Sequence, residues 1–154
     1  MAENQEKIKV LFVCTGNACR SQIAEGWARH LKADTIEAFS AGVSPGYVSQ
    51  RAIKTMAEAG IDISSQYSKH IDDLAGVDFD YVITLCDNAR QFCPVFGGEA
   101  QVIHEPFEDP SFMPGTEEQI TAAFRKLRQD IKALVEAMPE NMGPLVDENA
   151  KECD

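Results

Sequence analysis

Apolar residues are grouped along the chain in two different ways. Short runs built mainly of apolar residues occur at Ile8 to Val13, at Asp80 to Leu85 and at Ala100 to His104, and a further strand-like run covers Thr35 to Ala41. Short runs of this kind, bounded by turn residues, are typical of strands buried within a sheet. The pattern therefore predicts four strands.

Between and after these runs, apolar residues recur at the spacing of a helix. We expect a first helix capped by Ser21, a second from about Ser49 to Ala59 and a last from about Thr116 to Ala137. Gly60 and Pro139 are the expected stops of the second and last helices. Because strands alternate with helices, the chain is predicted to be an α/β protein with a four-stranded parallel sheet and helices on both faces.

Length and composition favour one folded unit. The chain has 154 residues, of which 44% are hydrophobic and 25% are charged, values typical of a globular domain with its own core. We therefore expect a single domain over residues 1–154, with loosely held tails at 1–6 and at about 139–154.

Charge and targeting signals narrow the kind of partner. The formal net charge is −11 and the pI is about 4.6, which argues against nucleic acid or an anionic membrane. No apolar run approaches the roughly 20 residues that cross a bilayer, and the N-terminus lacks the apolar core of a signal peptide. We expect a cytoplasmic protein that binds a small anion locally.

The cysteines indicate chemistry rather than a structural framework. There are five of them, Cys14, Cys19, Cys86, Cys93 and Cys153. An odd number in a reducing compartment argues against structural disulfides. No Cys-x2-Cys pair is present and the histidines stand at no ligand spacing to the cysteines, so no metal and no cofactor is expected. The cysteines are therefore expected to take part in redox or nucleophilic chemistry.

The first predicted strand runs directly into Cys14-Thr-Gly-Asn-Ala-Cys19-Arg20-Ser21, a Cys-x5-Arg loop that precedes a helix. A loop in this position points several backbone N–H groups into one concavity, which suits a tetrahedral oxyanion. Arg20 can grip two oxygens of that anion. The same donors stabilise a thiolate at Cys14, which makes Cys14 the candidate nucleophile.

The remaining residues of this loop complete the predicted anion site. The candidate anion-binding residues are Thr15, Gly16, Asn17, Ala18, Cys19 and Arg20. Asn17 tolerates the left-handed backbone that a tight cradle requires, and Ser21 can donate a hydrogen bond to the Cys14 sulfur. The alternative is that Cys14 is a small buried hydrophobe at a strand end and Arg20 a solvated helix residue.

A second pair of cysteines, Cys86 and Cys93, begins where a predicted strand ends. If the segment between them were helical, the two would share a face but lie about 10 Å apart along the axis. A disulfide requires Cα atoms within roughly 7 Å, so bonding them requires this segment to unwind. Pro94 and the hinge-like Gly97-Gly98 favour such a movement. The alternative is two unrelated cysteines in a surface loop.

Asp109, before Pro110, follows the last predicted strand. Because ligand chemistry gathers at the carboxyl ends of parallel strands, we expect Cys14, Cys86 and Asp109 to converge on one rim. A carboxyl group there can act as general acid to a leaving oxygen, although an Asp-Pro pair by itself is simply a turn. The competing acids nearby are His104, Glu105 and Glu108.

At these residues the chain resembles the low-molecular-weight protein tyrosine phosphatase superfamily and, within it, the thioredoxin-coupled arsenate reductases. The stretch from Cys14 to Ser21 matches the phosphatase-type loop, Asp109-Pro110 matches the general-acid position, and Cys86-x6-Cys93 looks like the redox pair of the reductases. The tyrosine that such phosphatases commonly carry after Asp-Pro is absent, since Ser111-Phe112 stands there. The likeness covers about residues 7–137.

The resemblance implies arsenate as substrate and thioredoxin as reductant. Cys14 would attack arsenate held by the loop and Arg20, while Asp109 protonates the departing oxygen. Cys86 would then attack Cys14 and release arsenite. Cys93 would attack Cys86, and the resulting disulfide would be reduced by thioredoxin.

Some members of the superfamily bind potassium beside the loop through an Asn, a Glu, a Ser and an Asp. Asn17, Glu25 and Ser40 match the first three, whereas Lys69 stands at the fourth position. An ammonium group there would take the place of the cation, so we expect activity that is insensitive to potassium.

Two other functions stay open at this point. One is a phosphotyrosine phosphatase with incidental cysteines. The other is a non-catalytic module that binds an oxyanion or senses thiols and signals through the movable segment 86–98. A glutaredoxin-type donor is an alternative to thioredoxin, and neither Cys19 nor Cys153 is given a redox step.

Overall fold

The structure is a computed structural model that describes residues 7–86 and 100–142. The strands are β1 (Ile8–Cys14), β2 (Ile36–Gly42), β3 (Tyr81–Thr84) and β4 (Gln101–His104). The α-helices of the described residues are α1 (Arg20–Leu31), α2 (Gln50–Glu58) and α3 (Glu117–Glu136). Single 3-10 turns form at Ile71–Leu74, Pro110–Phe112 and Glu140–Met142.

The four strands form one parallel sheet in the order β2-β1-β3-β4. β1 is central, and its residues from Val10 to Val13 are completely buried, as their unbroken apolar run predicts. The helices α1, α2 and α3 contact one another, and α1 also lies against β1 and β2. The predicted α/β class and four-stranded parallel sheet are confirmed.

Capping residues explain two of the three helix starts. Ser49 accepts a hydrogen bond from the Ala52 N–H at 3.2 Å, and the Thr116 hydroxyl accepts one from the Gln119 N–H at 3.1 Å. The expectation for Ser21 is wrong, because α1 begins at Arg20 and its N-cap is Cys19, whose side chain makes no capping bond. The Ser21 hydroxyl is instead engaged by Cys14 and Asn17.

The chain beyond α3 is more ordered at its start than expected. A tail loosely held from about residue 139 was predicted, yet Met142 is buried and its carbonyl accepts a hydrogen bond from Gln101 Nε2 at 3.3 Å. The apolar side chain of Met142 extends the core, which explains the difference. The expected loose segments 1–6 and 143–154 lie outside the described residues.

The sheet brings the chemically interesting positions to one edge. Cys14 is the last residue of β1, Cys86 follows β3, and the chain after β4 leads to Asp109. The chain after β4 stays close to the end of β3, because the Phe107 N–H donates to the Leu85 carbonyl at 3.0 Å. Within 7–86 and 100–142, no helix has the length and apolar character needed to cross a membrane.

Candidate active site

The loop after β1 is held from outside by the segment that follows β2. Backbone N–H groups of that segment donate to loop carbonyls in these pairs: Val43 to Cys14 at 3.3 Å, Ser44 to Thr15 at 2.8 Å, Gly46 to Gly16 at 3.0 Å and Ser49 to Ala18 at 2.8 Å. In a trans peptide the C=O and the next N–H point in opposite directions. Carbonyls drawn outward therefore turn the following N–H groups toward the inside of the loop, where they form an anion-binding nest.

This close approach requires a glycine in β2 and a left-handed residue in the loop. A Cβ at Gly42 would lie 2.6 Å from the Thr15 carbonyl oxygen and 2.8 Å from the Asn17 nitrogen, so a larger residue would push the loop away. Asn17 has φ of 50°, the left-handed conformation that was predicted for it. Its carbonyl accepts from Gln22 Nε2 at 2.9 Å and from the Ser68 hydroxyl at 2.7 Å.

A chain of hydrogen bonds runs inward from Glu25 to Cys14. The Ser40 hydroxyl donates to Glu25 Oε1 at 2.5 Å, and the Asn17 Nδ2 group donates to Ser40 Oγ at 3.0 Å and to Ser21 Oγ at 2.8 Å. The Ser21 Oγ lies 2.9 Å from the Cys14 sulfur.

The donor and the acceptor of each hydrogen bond in this series can be assigned from two groups, the Glu25 carboxylate and the Asn17 amide nitrogen. An ionised carboxylate can only accept, so Ser40 gives its proton to Glu25 and accepts from Asn17. The Asn17 amide nitrogen can only donate, so Ser21 accepts from it and keeps its own proton for Cys14. A hydroxyl that donates to sulfur stabilises the thiolate relative to the thiol.

Glu25 is buried, and its charge is balanced by an arginine rather than by Lys69. Arg29 Nε donates to Glu25 Oε2 at 2.7 Å. The Lys69 ammonium instead donates to the Tyr67 carbonyl at 3.0 Å and lies over the Tyr67 ring, while the Lys69 backbone N–H donates to Asn17 Oδ1 at 2.9 Å. Burial lowers the pKa of Lys69 below its usual range, and the nearby charge of Glu25 partly offsets that effect.

Arg20 lies between the loop and the segment that follows β4. Its two terminal nitrogens donate to the Phe107 carbonyl at 3.0 Å and to Asp109 Oδ2 at 3.4 Å. The Nε of Arg20 is buried and has no hydrogen-bond partner among the described residues. A buried donor without a partner is costly, and a bound oxyanion would satisfy it.

The structure brings Asp109, rather than its competitors, to this arginine. Asp109 Oδ1 accepts from the Ser111 N–H at 2.9 Å, which orients the carboxyl group, and the side chain remains 26% exposed. His104 Nδ1 is hydrogen-bonded to the Thr84 hydroxyl at 2.8 Å, and Glu105 and Glu108 are exposed. Of the four predicted acids, Asp109 is the one that contacts Arg20.

The second cysteine predicted for this rim also reaches the loop. Cys86 is buried, and its sulfur lies 3.2 Å from the hydroxyl of Thr15, the residue next to Cys14. The predicted convergence of Cys14, Cys86 and Asp109 is therefore present. Cys93 lies outside the described residues. Within the described chain, no group of His, Cys, Asp and Glu side chains could hold a metal ion.

Cys19 is the other thiol at this loop, and it is chemically different. It is 2% exposed. Burial raises its pKa far above the usual range, with smaller contributions from the negative charges of Asp109 and Cys14. Cys19 therefore stays a thiol at neutral pH, which agrees with giving it no redox step.

Sequence reasoning missed the supports on the outer side of the loop. These are the segment 43–49, the Gln22 amide and the Ser68 hydroxyl. Gly42 at the end of β2 and Gly46 shortly after it were a usable signal, because β2 is the neighbour of β1 and both strands end at the same edge. The hydroxyl of Thr15 carried no recognisable signal, since its partner Cys86 is distant in the chain.

The described residues thus combine a cradle for a tetrahedral oxyanion, a cysteine sulfur hydrogen-bonded to Ser21, a carboxyl group beside the guanidinium and a second thiol. Such a set can form a covalent sulfur adduct of an oxyanion, and the second thiol offers a way to break that adduct by sulfur-sulfur bond formation.

Comparisons with known proteins agree with this geometry. Residues 9–143 match the family described as low molecular weight phosphotyrosine protein phosphatase. The chain is 40% identical over 131 residues to an arsenate reductase of Halalkalibacterium halodurans, covering 85% of this chain and 94% of that protein.

Two solved structures have the same fold. One, described as an arsenate reductase in the phosphate binding state, aligns with a TM-score of 0.65 and 34% identity, covering 88% of this chain and 99% of that one. The other is a thioredoxin-dependent arsenate reductase of Corynebacterium glutamicum, with a TM-score of 0.62 and 25% identity, covering 88% of this chain and 63% of that one.

Proposed function

The chain belongs to the low molecular weight phosphotyrosine protein phosphatase family, and within that family we propose that it is an arsenate reductase. The observation that carries this proposal is the hydrogen bond between the Thr15 hydroxyl and the Cys86 thiol, which brings a second thiol to the loop of the nucleophile. A phosphatase needs one cysteine, because water completes its reaction. A reductase needs a further thiol that can attack the sulfur of the nucleophile and form a disulfide with it.

In the first step the loop N–H groups and Arg20 bind arsenate, and the Cys14 thiolate attacks arsenic. A sulfur-arsenic bond forms and an arsenic-oxygen bond breaks. Asp109 gives its proton to the departing oxygen, which leaves as water. The contact between Arg20 and Asp109 at 3.4 Å supports this role, because it holds the acid beside the group that grips the anion.

In the second step the Cys86 thiolate attacks the Cys14 sulfur. A sulfur-sulfur bond forms and the bond between Cys14 and arsenic breaks, with its electron pair going to arsenic. Arsenic(V) is thereby reduced to arsenic(III), and the product leaves as arsenite. The Thr15 hydroxyl supports this step, since it lies within hydrogen-bond distance of the attacking sulfur and next to the Cys14 position.

In the third step the Cys93 thiolate attacks the Cys86 sulfur, which forms the Cys86–Cys93 disulfide and returns Cys14 as a thiolate. A dithiol protein then reduces this disulfide and becomes oxidised itself. Per cycle, arsenate and one protein dithiol give arsenite, one protein disulfide and water. The thioredoxin dependence of the C. glutamicum relative supports thioredoxin as the dithiol. Since this relay requires free thiols, it belongs in a reducing cytoplasm.

The decisive experiment couples the protein to thioredoxin, thioredoxin reductase and NADPH. We expect NADPH oxidation that depends on arsenate and is abolished in Cys14→Ser, Cys86→Ser and Cys93→Ser. The Cys153→Ser variant is the matched control and is expected to keep the parent rate. Retained turnover in Cys93→Ser would refute the relay, and absence of arsenate-dependent oxidation in the parent would refute the reductase.

A phosphotyrosine phosphatase is the second candidate, and the family match together with the carboxyl group beside Arg20 favours it. It predicts efficient turnover of a phosphotyrosine peptide, unchanged by Cys86→Ser, and no arsenate reduction. Slow hydrolysis of an aryl phosphate would not separate the two, because phosphate and arsenate share shape and charge.

A further inference from the structure

Gln22 is a completely buried polar side chain in the first turns of α1, and it faces the outer side of the anion loop. Its Nε2 donates to the Asn17 carbonyl at 2.9 Å and to the Tyr67 carbonyl at 3.0 Å. Gln66 Nε2 donates to Gln22 Oε1 at 2.7 Å and to the Gln22 carbonyl at 3.1 Å. All hydrogen-bonding groups of this buried amide are therefore used.

The orientation of the Gln22 amide is determined by its surroundings. Two carbonyl oxygens face the nitrogen, and a donor nitrogen of Gln66 faces the oxygen. Turning the amide over would set its oxygen against two acceptors, which buried groups avoid. Gln22 Nε2 therefore donates to the Asn17 carbonyl. The Asn17 and Tyr67 carbonyls are sufficient to hold the amide in this orientation, even without Gln66.

The Asn17 carbonyl determines where the next N–H points. Because the Asn17–Ala18 peptide is planar and trans, a carbonyl drawn outward turns the Ala18 N–H inward, toward the anion site. The neighbouring carbonyls of the loop are held outward by backbone donors, but Asn17 is held by two side chains, Gln22 and Ser68. A left-handed residue needs such external support, because its conformation is unfavourable by itself.

We propose that Gln22 is a positioning residue for oxyanion binding, which acts by holding the Asn17 carbonyl outward so that the Ala18 N–H faces the bound tetrahedral anion. The inference rests on the anion site of the proposed function. It assigns to Gln22 an effect on the affinity for arsenate and phosphate that exceeds its effect on the stability of the fold.

The test is the Gln22→Met variant, which keeps the length of the side chain and removes both N–H donors. Phosphate is the probe, and its dissociation constant is measured by calorimetry on the reduced protein. We expect phosphate binding about tenfold weaker, since one hydrogen bond to a charged oxygen is misdirected. In the coupled assay the KM for arsenate rises by a similar factor, while kcat changes less.

Gln66→Met is the matched control, because it removes donors from the same buried cluster without touching the Asn17 carbonyl. We expect it to lower the Tm while phosphate affinity stays within about twofold of the parent. If Gln22→Met lowers the Tm as much as Gln66→Met and leaves phosphate affinity unchanged, Gln22 is merely structural and the proposal is wrong.

Ser68→Ala keeps the test decisive if Gln22→Met does not fold. It removes the other donor to the same carbonyl from a half-buried position, and phosphate binding is expected to weaken several-fold. Unchanged affinity in Ser68→Ala would then count against the proposal. Phosphate binding requires no redox chemistry, so these outcomes do not depend on whether the protein reduces arsenate.

Discussion

Replacing Ser21 by alanine tests the assignment of proton directions around the nucleophile. The Glu25 carboxylate can only accept hydrogen bonds and the Asn17 amide nitrogen can only donate them. The Ser21 hydroxyl proton is therefore left to donate to the Cys14 sulfur, which lies 2.9 Å from Ser21 Oγ. Ser21→Ala removes this donor and changes no charge. Because both side chains are almost completely buried, water has little room to replace the hydroxyl.

The size of the effect follows from the kind of bond that is lost. A hydrogen bond to a charged group contributes about 1.5–3 kcal/mol, and about 1.4 kcal/mol corresponds to a factor of ten in an equilibrium. We therefore expect the rate at which iodoacetamide alkylates Cys14 at neutral pH to fall by about tenfold or more in Ser21→Ala.

The alkylation of Cys14 is followed over time at one pH by peptide mass spectrometry, and Cys14→Ser identifies the signal that comes from the other cysteines. Ser40→Ala is the control, since it breaks the chain one step farther out and leaves Ser21 bonded to Asn17. In Ser40→Ala the rate of Cys14 alkylation is expected to fall by about threefold or less. An alkylation rate in Ser21→Ala equal to that of the parent would refute the assigned direction, and so would an equal decrease in both variants.

Thr15→Val keeps the shape of the side chain and removes the hydroxyl beside Cys86. It is expected to slow arsenite release in a single turnover by about tenfold without changing phosphate affinity. Equal rates of arsenite release in the parent and the variant, measured by rapid quench, would contradict this role. Because burial raises the pKa of the Cys19 thiol, a brief treatment of the folded, reduced protein with iodoacetamide at neutral pH should leave Cys19 unmodified while Cys14 reacts, as peptide mass spectrometry would show. Hydrogen bonds from Arg125 and Arg128 lower the pKa of Glu58 from 4.5 to about 2, so the stability from this carboxylate is fully present above pH 4.5 and is lost as the pH falls through about 2. The difference in urea midpoint between the parent and Glu58→Gln should accordingly be constant above pH 4.5 and become smaller between pH 4.5 and about 2. A difference that grows on acidification would contradict the stabilising effect assigned to the ionised carboxylate. Arg29 already balances the buried charge of Glu25, and the Lys69 backbone N–H already donates to Asn17 Oδ1. Turnover should therefore be the same in potassium and sodium at equal ionic strength, and a several-fold stimulation by potassium would count against this expectation.

The sequence alone was sufficient to predict the four strands and the edge of the sheet at which the reactive side chains meet. Hydrophobic runs identify buried strands without knowledge of their neighbours, and a parallel sheet then places all their carboxyl ends at one edge. The meeting of Cys14, Cys86 and Asp109 follows from these two facts. The left-handed conformation of Asn17 was predicted separately, because Asn tolerates that conformation in a tight loop. The roles of Cys93 and of the segment that follows Cys86 remain predictions from the sequence.

Tertiary packing decided what each side chain near the nucleophile does. Ser21 looks like a helix cap in the sequence, but the fold places Asn17 and Cys14 around it, and their hydrogen bonds take its hydroxyl. Gln22 resembles an ordinary helix residue until Asn17 and Tyr67 are seen to face it. Local patterns record how a residue affects its own element, whereas a hydrogen-bond partner many residues away depends on how the elements pack.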